Sequence, residues 1–207
     1  TNSGLLTKNA TGAVTSTGAF STTGAASLAQ DVTTTNTNLT IGGNLTLAEA
    51  ATVTLSTGAG AGNVLLSGTA DGTGGGVAET LTLQAGTGSA TFSGALGTGD
   101  ALKLNAVTIT NAAVTDFAAV NLVGALTQTN AATAGTTFNG TVSVGSADLK
   151  GTTYALDNSF ASGGTTAVTN SGLLTKNATG AVTSTGAFST TGAASLAQDV
   201  TTTNTNL

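Results

Sequence analysis

Arginine, histidine, cysteine, methionine, proline and tryptophan are all missing from this 207-residue chain. Without cysteine there is no disulfide framework. Without cysteine and histidine the usual transition-metal ligands are gone as well. Lys8, Lys103, Lys150 and Lys176 supply all the basic side chains, too few to neutralise a phosphate backbone. Aromatic residues make up 3% of the chain, so a base-stacking platform is also excluded. No apolar run approaches the ~18 residues of a membrane-spanning helix. One Tyr and six Phe do not furnish the two aromatic girdles of a transmembrane barrel. The chain therefore reads as neither nucleic-acid-binding nor membrane-spanning. No signal peptide is visible at residue 1, and the segment is expected to be mature or internal.

Charge is scarce overall. Charged residues are 6% of the chain and the net charge is −5, against roughly 25% charged residues in ordinary soluble domains. Leu, Ile, Val and Phe together just pass the ~20% share below which chains tend to stay disordered. Low net charge adds no self-repulsion, so an ordered fold is expected.

The first feature present is a repeat. Residues 1–39, TNSGLLTKNATGAVTSTGAFSTTGAASLAQDVTTTNTNL, recur without change as residues 169–207. The offset of 168 divides the chain into one full tandem unit, 1–168, and the start of the next, 169–207. The alternative is a single protein with duplicated ends. No charged cap closes either end, and this reads as an excerpt from a longer array.

A shorter rhythm runs inside the unit. Apolar–polar–apolar triplets recur as Leu39-Thr40-Ile41, Leu45-Thr46-Leu47, Val53-Thr54-Leu55, Leu81-Thr82-Leu83 and Ala90-Thr91-Phe92. They continue as Leu102-Lys103-Leu104, Val107-Thr108-Ile109, Val120-Asn121-Leu122 and Val142-Ser143-Val144. Period-two alternation marks strands with one buried face, and the Gly, Asn, Asp and Ser between them form turns. The series Leu45, Val64, Leu83, Leu102, Leu122, Val142 advances by 19 or 20 residues per step, which predicts a coil of that length.

The fold expected is all-β: a single-stranded β-solenoid of stacked, parallel coils, with about eight coils, or nine, per 168-residue unit. A whole number of coils would keep each sequence position on its own face. Proline would remove a ladder donor, and its absence fits strands paired on both edges. Asn44, Asn63, Asn105 and Asn139 are candidates for stacked amide ladders. Phe20, Phe92, Phe117, Phe138, Phe160 and Phe188 are expected as core fillers stacked between coils.

The phrases Gly43-Asn44-Leu45-Thr46-Leu47, Glu79-Thr80-Leu81-Thr82-Leu83-Gln84-Ala85-Gly86-Thr87-Gly88 and Thr137-Phe138-Asn139-Gly140-Thr141-Val142-Ser143-Val144 resemble large bacterial surface proteins of the filamentous-haemagglutinin-like adhesin type. The resemblance implies a right-handed parallel β-helix, secretion to the cell surface, and adhesion, biofilm or filament roles.

Chemistry is thin. Glycoside cleavage needs two carboxylates ~5–9.5 Å apart, and the pairs near in sequence are Asp148/Asp157 and Asp71/Glu79. Asp71 opens the glycine loop Asp71-Gly72-Thr73-Gly74-Gly75-Gly76, a weak calcium candidate lacking the complete acidic loop of known calcium motifs. Ser and Thr hydroxyls have no His base, and no phosphate-binding glycine loop is present. Asn9, Asn38, Asn44 and Asn139 sit in N-x-[ST] sequons and are candidate glycosylation sites.

The sequence thus points to a non-enzymatic structural component of an extracellular bacterial fibre or stalk, without a cofactor. It would support adhesion or cell–cell contact, and its partners would be further copies of itself and cell-surface or host glycans. The alternatives are a glycan- or host-binding adhesin module and, more remotely, a polysaccharide-degrading β-helix enzyme. An ice-binding threonine face would need T-x-T at constant register, whereas here Thr sits mostly between apolar flanks.

Overall fold

The computed structural model describes residues 4–9, 11–74, 78–132 and 135–203. The chain winds as a β-solenoid of about nine turns in which every strand pairing is parallel. The only helical element among the described residues is a 3₁₀ turn at Asp100–Leu102, and no helix there is long and apolar enough to cross a membrane.

Each turn lays one strand on each of three faces. Face one stacks Leu6–Lys8, Ala26–Leu28, Leu45–Leu47 and Ala70–Asp71. It continues through single-residue bridges from Ala70 to Leu96 and from Leu96 to Val120. It then runs on as Val120–Asn121, Val142–Val144, Phe160–Ser162, Val182–Ser184 and Val200–Thr202. Face two is an unbroken nine-stranded sheet: Val14–Ser16, Val32–Thr34, Thr52–Ser56, Thr80–Gln84, Ala106–Asn111, Ala125–Ala132, Ser146–Gly151, Thr166–Asn170 and Phe188–Thr190. Face three is a second: Phe20–Thr22, Leu39–Ile41, Val64–Leu66, Ser89–Phe92, Val114–Phe117, Gly135–Phe138, Tyr154–Leu156, Leu173–Lys176 and Ala193–Leu196.

The triplets explain this. In Leu39-Thr40-Ile41 and Leu45-Thr46-Leu47 the flanking residues are buried and the central Thr is half-buried on the outside. Successive coils place inward residues in register. One interior column of face three runs Ile41, Leu66, Phe92, Phe117, Phe138, Leu156. The phenylalanines in it stack as expected: Phe92 and Phe117 lie 4.8 Å apart at 11°, and Phe117 and Phe138 lie 4.9 Å apart at 3°. Phe160, arriving from face one, meets Phe138 edge-on at 5.8 Å.

Corners need glycine where layers touch. A Cβ on Gly68 would lie 2.6 Å from the Gly43 carbonyl carbon, and one on Gly94 would lie 2.3 Å from the Gly68 oxygen. These residues form a column at the corner between faces three and one, in which backbone packs directly on backbone.

Two expectations need correction. The 19–20-residue series does not follow one face: Leu45 lies on face one, Val64 on face three and Leu83 on face two. Coil length varies from 18 residues, between Val14 and Val32, to 28, between Val53 and Leu81. Corners of unequal length absorb the difference. Leu102-Lys103-Leu104 is also no strand. Gly97 has φ +68° and the Lys103 ammonium pairs with Asp100 at 2.9 Å, so the chain curls into the 3₁₀ turn. Leu102 is left exposed, and Leu104 alone bridges to Leu122.

The 168-residue offset spans seven full turns and two further faces, close to the eight coils expected but not a whole number. Leu6 stands on face one, whereas its copy Leu174 stands on face three. Pairing within each copy is nonetheless the same: Leu6 opposes Ala26 as Leu174 opposes Ala194, and Val14 opposes Val32 as Val182 opposes Val200. Residues 1–3, 10 and 204–207 of the two copies lie outside the described residues.

Candidate functional site

Asp71 and Glu79 flank one loop, at the corner joining faces one and two in the fourth turn. The chain leaves face one at Asp71 and re-enters face two at Thr80. Gly75 and Gly76 of the candidate calcium loop lie outside the described residues. Asp71 is almost wholly buried, and both its oxygens are engaged. Oδ2 accepts from the Thr69 hydroxyl at 2.8 Å, and Oδ1 accepts from the Thr98 amide at 2.7 Å and its hydroxyl at 3.0 Å. Thr98 belongs to the next coil, so Asp71 fastens one layer to its neighbour.

Glu79 is 1% exposed. Its Oε1 accepts from the Thr73 hydroxyl at 2.9 Å, and its Oε2 accepts from the Ala78 amide at 3.3 Å. Desolvation pushes its pKa up, but hydrogen bonds from its own amide, from Thr73 and from Ala78 together outweigh that and hold it below the ordinary value. A carboxylate held ionised this way suits a structural acceptor; a general acid at neutral pH needs the opposite shift. Among the described residues no group of three or more carboxylates is placed to hold a metal ion.

Asp148 and Asp157 are not brought together at one corner. Asp148 points outward on face two and pairs with Lys150 at 3.2 Å. Asp157 follows the face-three strand Tyr154–Leu156 and accepts a hydrogen bond from the Asn177 amide one coil on.

The asparagines act as staples between layers. The Asn38 Oδ1 accepts the Asn63 amide at 3.0 Å, and the Asn63 Oδ1 accepts the Ser89 amide at 2.8 Å. The Asn44 Oδ1 takes the Thr69 amide at 3.2 Å, and the Asn139 Nδ2 donates to the Phe117 carbonyl at 3.2 Å. These ladders run from side chain to backbone rather than from amide to amide. The candidate glycosylation sites Asn9, Asn38, Asn44 and Asn139 are exposed, as is Asn177, the copy of Asn9.

Lys176 and Tyr154 are among the buried polar groups that the sequence reading passed over. Lys176 is 1% exposed, and its ammonium donates to the Asn177 and Thr179 carbonyls at 2.9 and 2.6 Å. Desolvation lowers its pKa, with the Asp157 charge acting in the opposite sense. Tyr154 is buried, with its hydroxyl donating to the Gln128 Oε1 at 3.3 Å; the same oxygen accepts from Thr136 at 3.0 Å. Burial, and after it the Asp148 charge, pushes the phenol far above its ordinary pKa. Tyr154 also backs a groove of about 440 Å³ on face three whose rim carries Thr137, Thr153 and Thr175. No carboxylate lines it, so it offers hydroxyls but neither acid nor base.

Face two carries a feature that reading triplets alone passes over. Thr54, Thr82, Thr108 and Thr127 stand in register on four successive coils. Thr52 and Thr80 form a second row beside them, joined hydroxyl to hydroxyl at 3.1 Å. The signal was present in Thr52-Val53-Thr54, Thr80-Leu81-Thr82, Thr108-Ile109-Thr110 and Thr127-Gln128-Thr129. Against this geometry, the chain matches no protein-family model, no curated protein and no solved structure.

Proposed function

We propose that this chain is a structural, non-enzymatic segment of an extracellular bacterial fibre or stalk, built of tandem 168-residue β-solenoid units and serving adhesion or cell–cell contact. One observation carries the reading. The two identical segments stack with the same internal register inside one uninterrupted solenoid, so a further copy would extend the stack by the same contacts. Such a rod satisfies its backbone groups layer on layer. Its carboxylates and asparagines serve mainly as staples, as the Asp71–Thr98 and Asn63–Ser89 contacts do. The resemblance to filamentous-haemagglutinin-like adhesins points to the cell surface. Cryo-electron microscopy of the native assembly tests this: a thin rod with ~4.8 Å layers is expected, and discrete globules would overturn it.

The face-two threonine rows favour a second reading, a surface that orders water and binds ice. Thr54, Thr82, Thr108 and Thr127 stand ~4.8 Å apart along the axis, and Thr52 and Thr80 lie about 6.7 Å across from the first two of them. Thermal hysteresis in solution of the purified chain would support it, and its absence would remove it.

A further inference from the structure

The identical segments differ in one respect: the second sits one face earlier in the turn. Leu6–Lys8, Val14–Ser16 and Phe20–Thr22 occupy faces one, two and three, whereas their copies Leu173–Lys176, Val182–Ser184 and Phe188–Thr190 occupy faces three, one and two. The corners travel with the sequence. In both copies the lysine ammonium donates to the carbonyls one and three residues on, and Gly12 and Gly180 share φ +70°. Yet the first of these corners joins face one to face two, and the second joins face three to face one.

We infer that each 168-residue unit hands its successor to the solenoid rotated by one face, so that the fibre displays every surface residue in turn on all three sides. The inference rests on the tandem reading for units beyond this chain. Its physical basis is that the faces are interchangeable. Each is built from short strands that alternate inward apolar with outward polar residues, and each accepts the same triplets. Three units would close the cycle in 23 turns, an axial repeat of about 110 Å at ~4.8 Å per layer. The outward Asp148–Lys150 pair on face two would recur on face one of the next unit and face three of the one after. Such a fibre has no preferred side. A flat partner such as a glycan-coated cell surface would meet the same patch from any direction, and two surfaces on opposite sides could be bridged by one rod.

Disulfide trapping in the full chain tests the rotation, and the absence of native cysteine makes the readout clean. Thr183, the copy of Thr15, opposes Ala161 on face one. Were the unit a whole number of coils, Thr183 would instead stand on face two beneath Ala167. Adjacent outward positions lie ~4.8 Å apart, within disulfide reach. Under mild oxidation, A161C/T183C is expected to cross-link almost completely and A167C/T183C to remain at background, read by non-reducing electrophoresis and mass spectrometry. A167C/S189C, whose partners also oppose one another, provides an independent second pair. Cross-linking of A167C/T183C in place of A161C/T183C overturns the rotation, as does failure of both A161C/T183C and A167C/S189C. These bonds form within one chain, so the outcome is independent of whether further units follow; that question belongs to imaging of the native assembly.

Discussion

Phe117 lies flat between Phe92 and Phe138 and is 1% exposed, so two layers depend on one ring. Truncating it leaves a gap that backbone ladders above and below cannot close. Phe117→Ala is expected to cost about 3–5 kcal/mol, measured by denaturant unfolding, with Phe117→Leu costing clearly less. Glu79 acts differently. Its folded pKa lies below its unfolded value, so its contribution is fully present above the unfolded value and is lost as pH falls through the folded one. Glu79→Gln should therefore be less stable than the parent at neutral pH, and the gap should shrink on acidification. A gap that is constant across the acid range would show that the carboxylate's charge is irrelevant there.

At the scale of strands and corners, the triplets were legible because alternation with a period of two has one reading once the strands are short. Leu39-Thr40-Ile41, Val107-Thr108-Ile109 and Val142-Ser143-Val144 all lie in strands. Leu102-Lys103-Leu104 has the same pattern and failed, because the glycines at 97 and 99 and the Asp100–Lys103 pair turn the chain before it can extend. The stapling role of Asp71 was beyond reach, and Asn63 was legible as a link between coils but not in its partner, the Ser89 amide, since each partner lies in a coil whose register depends on corner lengths that composition does not encode. Glycine corners are the sharpest test of that register. A methyl on Gly68 meets the Gly43 and Asn44 backbone of the layer above at under 3 Å, whereas one on Gly18 meets nothing within 4 Å. Gly68→Ala should destabilise by more than about 1 kcal/mol, while Gly18→Ala should be neutral or gain up to about 1 kcal/mol from a less flexible unfolded chain. Thermal melts of the two variants side by side would separate a packed corner from an open one; equal effects would argue against the stacked glycine column.

For the molecule as a whole, a solenoid's stability is close to a sum of terms between neighbouring coils, so a complete coil should be removable where an equal length of a globular core is not. Residues 142–159 make one such coil, because Val142 opposes Phe160 directly. Deleting them joins Thr141 to Phe160 and leaves every downstream pair, such as Phe160 with Val182 and Leu174 with Ala194, untouched. Val120 would then rest on Phe160, and Thr136 would rest on Leu174. Both new contacts put an apolar side chain where the present partners, Val142 and Tyr154, now stand. The column through Phe138 would pass to Lys176, whose ammonium is already satisfied by its own turn. The shortened chain is expected to keep its β-sheet circular dichroism and to measure one layer, ~4.8 Å, shorter by small-angle scattering. Collapse of the sheet signal would mean that the seventh coil makes contacts beyond its neighbours, and a sum over adjacent layers would then no longer describe this rod.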